Sequence, residues 1–364
     1  MKTIIKWPGG KSGEVDKISS LIPEYDRYIE PFFGGGAVYF SLQPKKAVIN
    51  DISEMLTQFY RLVKEQNQDL KKYLLAYHYS MTSLLLNAEN YYQELYNLFS
   101  SGNFDNIDIF NSLIRKITSN INELDLLVSD KEEFDEYILK MVIDKFIRTK
   151  KNNEKSPFSN EDLKNNLITG FSSGYYMYFR NIYNEINLKK KTFSIEYSIA
   201  NFYYIREYCY GSMFRYNSQG EFNIPYGGIS YNKKSFISKI NNIFTEDIKE
   251  LFKDTEIYNC DFEKLLLNEL KLTEKDFIFL DPPYDTEFSD YEGKSFDKED
   301  QKRLANCLKK ISAKFILIIK NTDFIYNLYK DDFRILSFDK NYTYNVRSRN
   351  ERNVEHLIIT NIPE

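Results

Sequence analysis

The chain is poor in the residues that many enzymes use for chemistry. It holds two histidines, His78 and His356, and three cysteines, Cys209, Cys260 and Cys307. Neither type clusters at metal-ligand spacing, which argues against a zinc site and against a Ser-His-Asp hydrolase. An odd number of widely spaced cysteines is not a disulfide framework, so reduced thiols and a cytoplasmic location are expected. No apolar run approaches membrane-spanning length, and the opening "MKTIIKWPGGK" has no apolar signal core, so no membrane association is expected. A strong charge of one sign is also missing. Lys and Arg total 49 against 53 Asp and Glu, a net charge of −4, which by itself does not mark a nucleic-acid binder.

What is present is enough for one large domain or two ordinary ones. Of 364 residues, 42% are hydrophobic and 28% charged, the balance of a packed globular protein. The 30 Tyr and 28 Phe accompany abundant Lys, Asn and Ile, a pattern that coding bias produces, so aromatics in bulk carry no functional meaning. Charge is unevenly spread. Residues 189–239 hold 8 Lys/Arg and 3 Glu, a balance of +5, whereas residues 246–300 hold 7 Lys and 18 Asp/Glu, a balance of −11. A basic stretch beside an acidic one suits a local polyanion-binding face on an acidic body; the plainer alternative is clustered, solvated charge.

Along the chain, "RYIEPFFGGGAVYFSL" predicts a strand ending near Glu30, a turn at Gly34–Gly36 and a helix from Ala37. "AVIND", 47–51, is a second strand. From Ser53 to Ala200 the pattern is mostly helical, broken at 148–166 by a polar patch expected as an exposed loop. After Phe244 come a strand ending at Asp261, the strand "DFIFLD" ending at Asp281, a helix over 298–311, the strand "AKFILIIK" and a final antiparallel pair. Both ends are therefore α/β, with a helical block between them. The expected division is a discontinuous domain, 1–60 with 245–364, and an insertion, 61–244.

The glycine turn opens a helix, where free N–H groups and absent side chains admit a ligand close to the backbone. Asp51 ends the next strand, 17 residues after Gly34, the place of an acid that bonds ribose hydroxyls. The turn lacks G-x-G-x-x-G spacing, which disfavours NAD. Asp281 ends an apolar strand and is followed by Pro282, which lacks an N–H but keeps its carbonyl. Two adjacent acceptors suit an exocyclic amine with two hydrogens, and Tyr284 offers a ring face to a planar base. The alternative for "DPPY" alone is a strand ending in a surface proline turn.

"KWPGGK" at 6–11, "EPFFGGGAVYF" at 30–40, "IND" at 49–51, "GSMFRYNSQGEFNIPYGG" at 211–228 and "DPPY" at 281–284 come in the order of the DNA adenine-N6 methyltransferases of the Dam family, which this chain resembles. The 211–228 segment resembles that family's target-recognition motif R-x-N-x-x-G-x-F-N-x-P-x-G. Residues 65–195 lie outside the resemblance. The resemblance implies an α/β, Rossmann-like, S-adenosylmethionine-dependent methyltransferase core, with the large, mostly helical insertion carrying target recognition. It implies cofactor contacts at Trp7, Lys11, Phe33, Gly34, Gly35, Gly36, Asp51, Asp261, Phe262 and Asp281. Asp281, Pro282 and Tyr284 would receive the target adenine. Lys6, Arg215, Tyr216, Asn217, Gln219, Asn223 and Pro225 would meet double-stranded DNA.

Accepting the amine hydrogens at Asp281 and Pro282 O favours an available N6 lone pair, so direct in-line transfer is expected, from an adenine that has left the duplex. No Pro-Cys nucleophile motif is present, which argues against cytosine-C5 methylation. The implied target is GATC, although Gln219 stands where many relatives carry a basic residue. A monomer is expected, with a cognate restriction endonuclease as a potential partner. "NVRSRNER", 345–352, places Arg347, Arg349 and Arg352 either in a phosphate-binding loop or in a solvated turn. Arg148, Lys150 and Lys151 are expected at phosphates outside the recognised site. An RNA or protein methyltransferase, and a DNA-binding protein that has lost catalysis, are the alternatives.

Overall fold

Short apolar runs that end in polar residues become the strands of one sheet. The computed structural model describes residues 1–10, 13–213, 215–283, 296–341 and 353–363. Arg27–Glu30 (β1), Ala47–Asn50 (β2), Thr255–Tyr258 (β3), Asp276–Leu280 (β4) and Lys314–Lys320 (β5) pair in parallel. Arg334–Asn341 (β6) and Asn353–Thr360 (β7) are antiparallel, and β7 also runs antiparallel to β5. The order is β3-β2-β1-β4-β5-β7-β6. Every residue of β2 and β4 is buried, as expected of strands covered on both faces. This is the Rossmann-like methyltransferase architecture expected from the sequence.

Winding reverses beside β1. The chain moves outward from β1 through β2 to β3, then resumes on the other side of β1 with β4 and β5. In such sheets a crevice opens at the reversal, beyond the carboxyl ends of the strands. The amino ends of β1 and β4 are locked together by a forked ion pair, with Arg27 Nε 2.8 Å from Asp276 Oδ1 and Nη2 3.1 Å from Oδ2. One strand is shorter than expected. β3 stops at Tyr258, and Asp261 instead caps the helical turn Phe262–Lys264, accepting from Glu263 N at 2.9 Å. The cause is local: side chains of Asn50, Asn259 and Asp261 take up main-chain groups that would otherwise continue a ladder.

Contacts divide the chain into two units, Met1–Glu65 with Glu246–Glu364, and Gln66–Thr245. The second unit is built from helices whose starts are capped by side chains. Asn67, Asp130, Ser159 and Ser194 accept from Leu70, Glu133, Asp162 and Tyr197 N, opening the helices Gln68–Asn90, Lys131–Lys155, Asn160–Asn187 and Ile195–Tyr208. Its core is aromatic. Tyr77 packs on Phe179 and Tyr204 with ring centroids 4.7 Å apart in each case. Two buried hydroxyls of this core find partners: Tyr175 with Ser80, Tyr197 with Leu127 O. Many of the abundant tyrosines are thus core residues.

The polar stretch 148–166, expected as a loop, is helical except at 156–159. Its Lys and Asn residues form the solvated side of two helices that bury Phe146, Thr149 and Leu163. Pro157 and the Ser159 cap confine the break.

The two helices flanking that break approach closely at Gly174. A Cβ there would lie 2.6 Å from Ile138 Cα and 3.0 Å from Tyr137 O, both backbone atoms. Gly174→Ala should therefore destabilise the protein by about 1–3 kcal/mol, despite the better helix propensity of Ala. Chemical denaturation checks this; an unchanged or raised midpoint would show slack between the helices.

Candidate active site

Residues 31–36 join β1 to the helix Ala37–Leu42. Gly34 and Gly36 have φ of 49° and 65°, the left-handed region that favours glycine. Gly34 is held at both ends. Its N–H donates to Asp51 Oδ2 at 2.8 Å, and its carbonyl accepts from the Tyr60 hydroxyl at 2.9 Å. Trp7 covers it: a Cβ at Gly34 would lie 2.7 Å from Trp7 Cδ1, and one at Gly35 would lie 3.2 Å from Trp7 Cβ. Trp7, Gly34, Gly35 and Asp51 therefore converge. Phe33 precedes this turn. It is buried, edge-on to Tyr39 and Tyr60 at 5.3 and 4.8 Å, and braces the turn from the core.

The carboxyl ends of three strands are pinned by one amide. Asn50 Nδ2 donates to Pro31 O (2.9 Å) and Cys260 O (3.0 Å), while Oδ1 accepts from Cys260 N (3.0 Å). Asp51 follows directly, with Oδ1 accepting from Ser53 N at 2.9 Å. Asp261, after β3, accepts from Arg303 Nη2 at 2.7 Å; the same guanidinium reaches Glu263 and Asp300. Burial works against the Arg303 charge, but those three carboxylates outweigh it and raise its pKa further. Phe262, expected beside a cofactor, is buried among Phe32 (5.4 Å), Phe296 (5.8 Å) and the Arg303 guanidinium (5.0 Å). Its ring is largely occupied by these neighbours.

Beyond β4, Asp281 is half-buried and Pro282 buried. The Pro283 carbonyl accepts from Gln301 Nε2 at 3.1 Å, and Gln301, on the helix Lys298–Leu308, is completely buried. Glu30 ends β1, next to β4, and is 3% exposed. Burial pushes its carboxyl pKa well up; the Tyr28 hydroxyl, 2.7 Å from Oε2, opposes this, and the nearby Asp281 and Asp51 charges add to it. Lys11, Tyr284, Arg347, Arg349 and Arg352 lie outside the described residues. Lys6 is half-buried immediately before Trp7. Arg148, Lys150 and Lys151 lie on the helix Lys131–Lys155, where the Lys150 ammonium sits 5.7 Å from the Phe104 ring centre.

In the helical unit, residues 215–223 form a hairpin, with Asn217 N bonded to Glu221 O (2.9 Å) and Asn223 N to Arg215 O (3.2 Å). Phe222, Ile224 and Tyr226 are buried; Glu221, Asn223 and Pro225 alternate with them on the other face. Arg215 Nε donates to Asn223 Oδ1 at 2.9 Å on that outer face, and Gln219 is exposed at the tip. Asn217 organises the turn, its Oδ1 accepting from Gln219 N and Glu221 N. Tyr216 departs from expectation: it bridges to Phe222 on the packed face, its hydroxyl 3.0 Å from that of Tyr183.

Sequence reasoning gave no role to Glu30, Asn50, Tyr60 or Gln301. Glu30 carries the one signal that was readable, a carboxylate ending an apolar strand. A carboxyl with a raised folded pKa contributes fully below the unfolded value of about 4.3. That contribution is lost as pH climbs toward the folded value. Glu30→Gln removes the ionisable group and keeps an acceptor for Tyr28. Its stability relative to the parent protein should rise with pH above about 4.3. Parallel denaturant titrations check this, and a pH-independent difference would show that Glu30 ionises normally.

A family model described as D12 class N6 adenine-specific DNA methyltransferase matches residues 7–160 and 140–344. The chain is 26% identical over 367 residues to the type II methyltransferase M.CviBI of Paramecium bursaria Chlorella virus NC1A, covering 99% of this chain and 100% of that protein. It is 25% identical over 372 residues to the type II methyltransferase M1.LlaDCHI of Lactococcus lactis subsp. cremoris, covering 99% and 95%. A DNA adenine methylase of Serratia marcescens is 22% identical over 329 residues, covering 88% and 84%. The family description specifies DNA, which selects against the RNA and protein substrates weighed from "DPPY" alone. With a match that spans most of the sequence, the chain belongs to the D12 class N6 adenine-specific DNA methyltransferase family.

Proposed function

We propose that this enzyme transfers a methyl group from S-adenosylmethionine to N6 of an adenine swung out of duplex DNA. The unit Met1–Glu65 with Glu246–Glu364 carries the chemistry, and the unit Gln66–Thr245 carries target recognition. The observation that supports this best is the position of Asp281 and Pro282, at the carboxyl end of β4 where winding reverses beside β1.

The residues fit the cofactor by their chemistry. Glu30, Asp51, Asp261 and Asp281 follow or end four adjacent strands, an acidic set suited to a cationic ligand with ribose hydroxyls and an adenine amine. S-adenosylmethionine would supply an electrophilic methyl group, which the amine lone pair would bond as the C–S bond breaks, a neutral thioether leaves and one N6 proton is lost. Gly34–Gly36 and Trp7 would hold its methionine part, Asp51 the ribose, and Asp261 the adenine amine. Asp281 and Pro282 O accept the two N6 hydrogens of the target and orient its lone pair. Gln301 holds the Pro283 carbonyl and so fixes the turn that carries both acceptors. Tyr284 stacking would offset part of the few kcal/mol that unstacking the base costs.

Arg215, Gln219 and Asn223 are the side chains of the hairpin placed to read base edges. GATC is the target carried by the family resemblance, with Gln219 altering the contact at one base pair. The relatives named type II methyltransferases support pairing with a restriction endonuclease.

Asp281→Ala should abolish methyl transfer while S-adenosylmethionine still binds, and Asp51→Ala should weaken cofactor binding first. Calorimetric titration beside a labelled-methyl assay separates the two, and the reverse pattern would overturn the assigned roles. Gln301→Leu should lower kcat on the order of tenfold, about 1.4 kcal/mol. Cofactor affinity should stay unchanged; unaltered single-turnover rates would show that the Pro283 bond is dispensable.

A further inference from the structure

The helix Asn160–Asn187 presents a polar stripe, Ser172, Tyr176, Arg180 and Asn184, at a spacing of four. Residues four apart form one inclined row on a helix surface. Every member of this row bonds the segment that ends the hairpin. Asn184 is doubly bonded to the Phe222 main chain, with Nδ2 3.1 Å from its carbonyl and Oδ1 2.8 Å from its N–H. Tyr176 Oη and Arg180 Nη1 both donate to Ile224 O, at 3.0 and 3.3 Å. Ser172 Oγ lies 2.8 Å from Asn232 Oδ1, which also accepts from the Tyr226 hydroxyl. The segment thus runs antiparallel to the helix, from Phe222 at Asn184 to Asn232 at Ser172.

The pattern has a physical logic. The amide of Asn184 supplies one donor and one acceptor, as a neighbouring strand would, so the helix edge substitutes for a third strand. At Phe222 and Ile224 the polar contacts go to main-chain atoms only. The inward side chains, Phe222 and Ile224, are 1% exposed and anchor the strand on the helix. The outward ones, Arg215 and Asn223, receive nothing from this row. Position and register are therefore set independently of the outward side chains' identity.

We propose that Asn184, supported by Tyr176 and Arg180, is a positioning residue for target discrimination. It holds the hairpin main chain in the register at which Arg215, Gln219 and Asn223 meet their bases, without itself touching DNA. This rests on the proposal that the hairpin reads base edges. It also gives the helical unit a definite duty as the backboard of recognition.

The test uses the full-length enzyme and a pool of duplexes with randomised sequence, sequenced for N6-methyladenine. Asn184→Ala should reduce discrimination between the preferred site and its single-base neighbours about tenfold, within the share of one well-placed base contact. S-adenosylmethionine affinity should not change, because the cofactor residues lie in the other unit. A uniform rate loss across all sequences, or an unchanged preference, would overturn the proposal. If Asn184→Ala does not fold, Tyr176→Phe carries the test. It removes one bond to Ile224 O and keeps the ring, so a smaller loss in the same direction is expected. Gln219→Arg is the control for the underlying proposal. A changed preference at one base pair there, with none in Asn184→Ala, rejects the role of Asn184 alone. No change in Gln219→Arg rejects base reading by the hairpin itself.

Discussion

The site depends on one buried amide. Asn50 is 2% exposed and bonds main-chain groups after β1 and after β3 while belonging to β2. Parallel strands leave their last carbonyls and amides without ladder partners, and buried groups of that kind are costly when unpaired. Asn50 meets this cost for three strands at once. The backbone of the next residue is fixed as a result, and Asp51 can present Oδ2 to Gly34 N and Oδ1 to Ser53 N. The glycine turn, the helix Ala37–Leu42 and the helix Glu54–Lys64 all start from that arrangement. A substitution at Asn50 would loosen the whole carboxyl edge rather than one contact.

Legibility followed how local each signal was. Asp51 and Asp281 were readable because a carboxylate ending an apolar strand is a feature of a few adjacent residues. The α/β character of both ends was implied by the alternation of strand and helix there, whereas the strand order came only from the structure. Gln301, Tyr60 and Asn184 were not readable. Each sits in an ordinary helical stretch, and its partner lies 18, 26 and 38 residues away. Family resemblance transfers a position but not the direction of a side chain, so the packing of Phe33, Phe262 and Tyr216 against neighbouring rings was not readable. The stretch 148–166 was misread because a solvated helix face and a loop share a composition. Only the few apolar residues facing the core, such as Phe146 and Leu163, distinguish them.

The two units solve different packing problems with different chemistry. The sheet unit positions its functional groups through main-chain ends and short polar side chains. The helical unit relies on tyrosine, whose ring fills the core while its hydroxyl reaches a polar partner. Tyr176 shows both uses: its ring lies 5.7 Å from that of Tyr226, and its hydroxyl holds Ile224 O. Under the proposed function a rigid aromatic core suits the hairpin it supports, since a loosely packed one would let the hairpin drift by the fraction of an ångström that decides base contacts.

Charge completes the division of labour. Asp51 and Asp281, following the two strands that flank β1, disfavour phosphates, so under the proposed function this edge is poorly suited to hold DNA by its backbone. Burial pushes the Glu30 carboxyl pKa well up, and the nearby Asp281 and Asp51 charges push it the same way. The same negative field favours a small cation. The +5 balance over residues 189–239 lies in the helical unit and suits the opposite ligand, a polyanion. Under the proposed function, a cationic methyl donor and an anionic duplex are thus sorted by field to different units before any specific contact forms. Under the same proposal the target base is neutral, so an acidic crevice does not repel it as it repels phosphates.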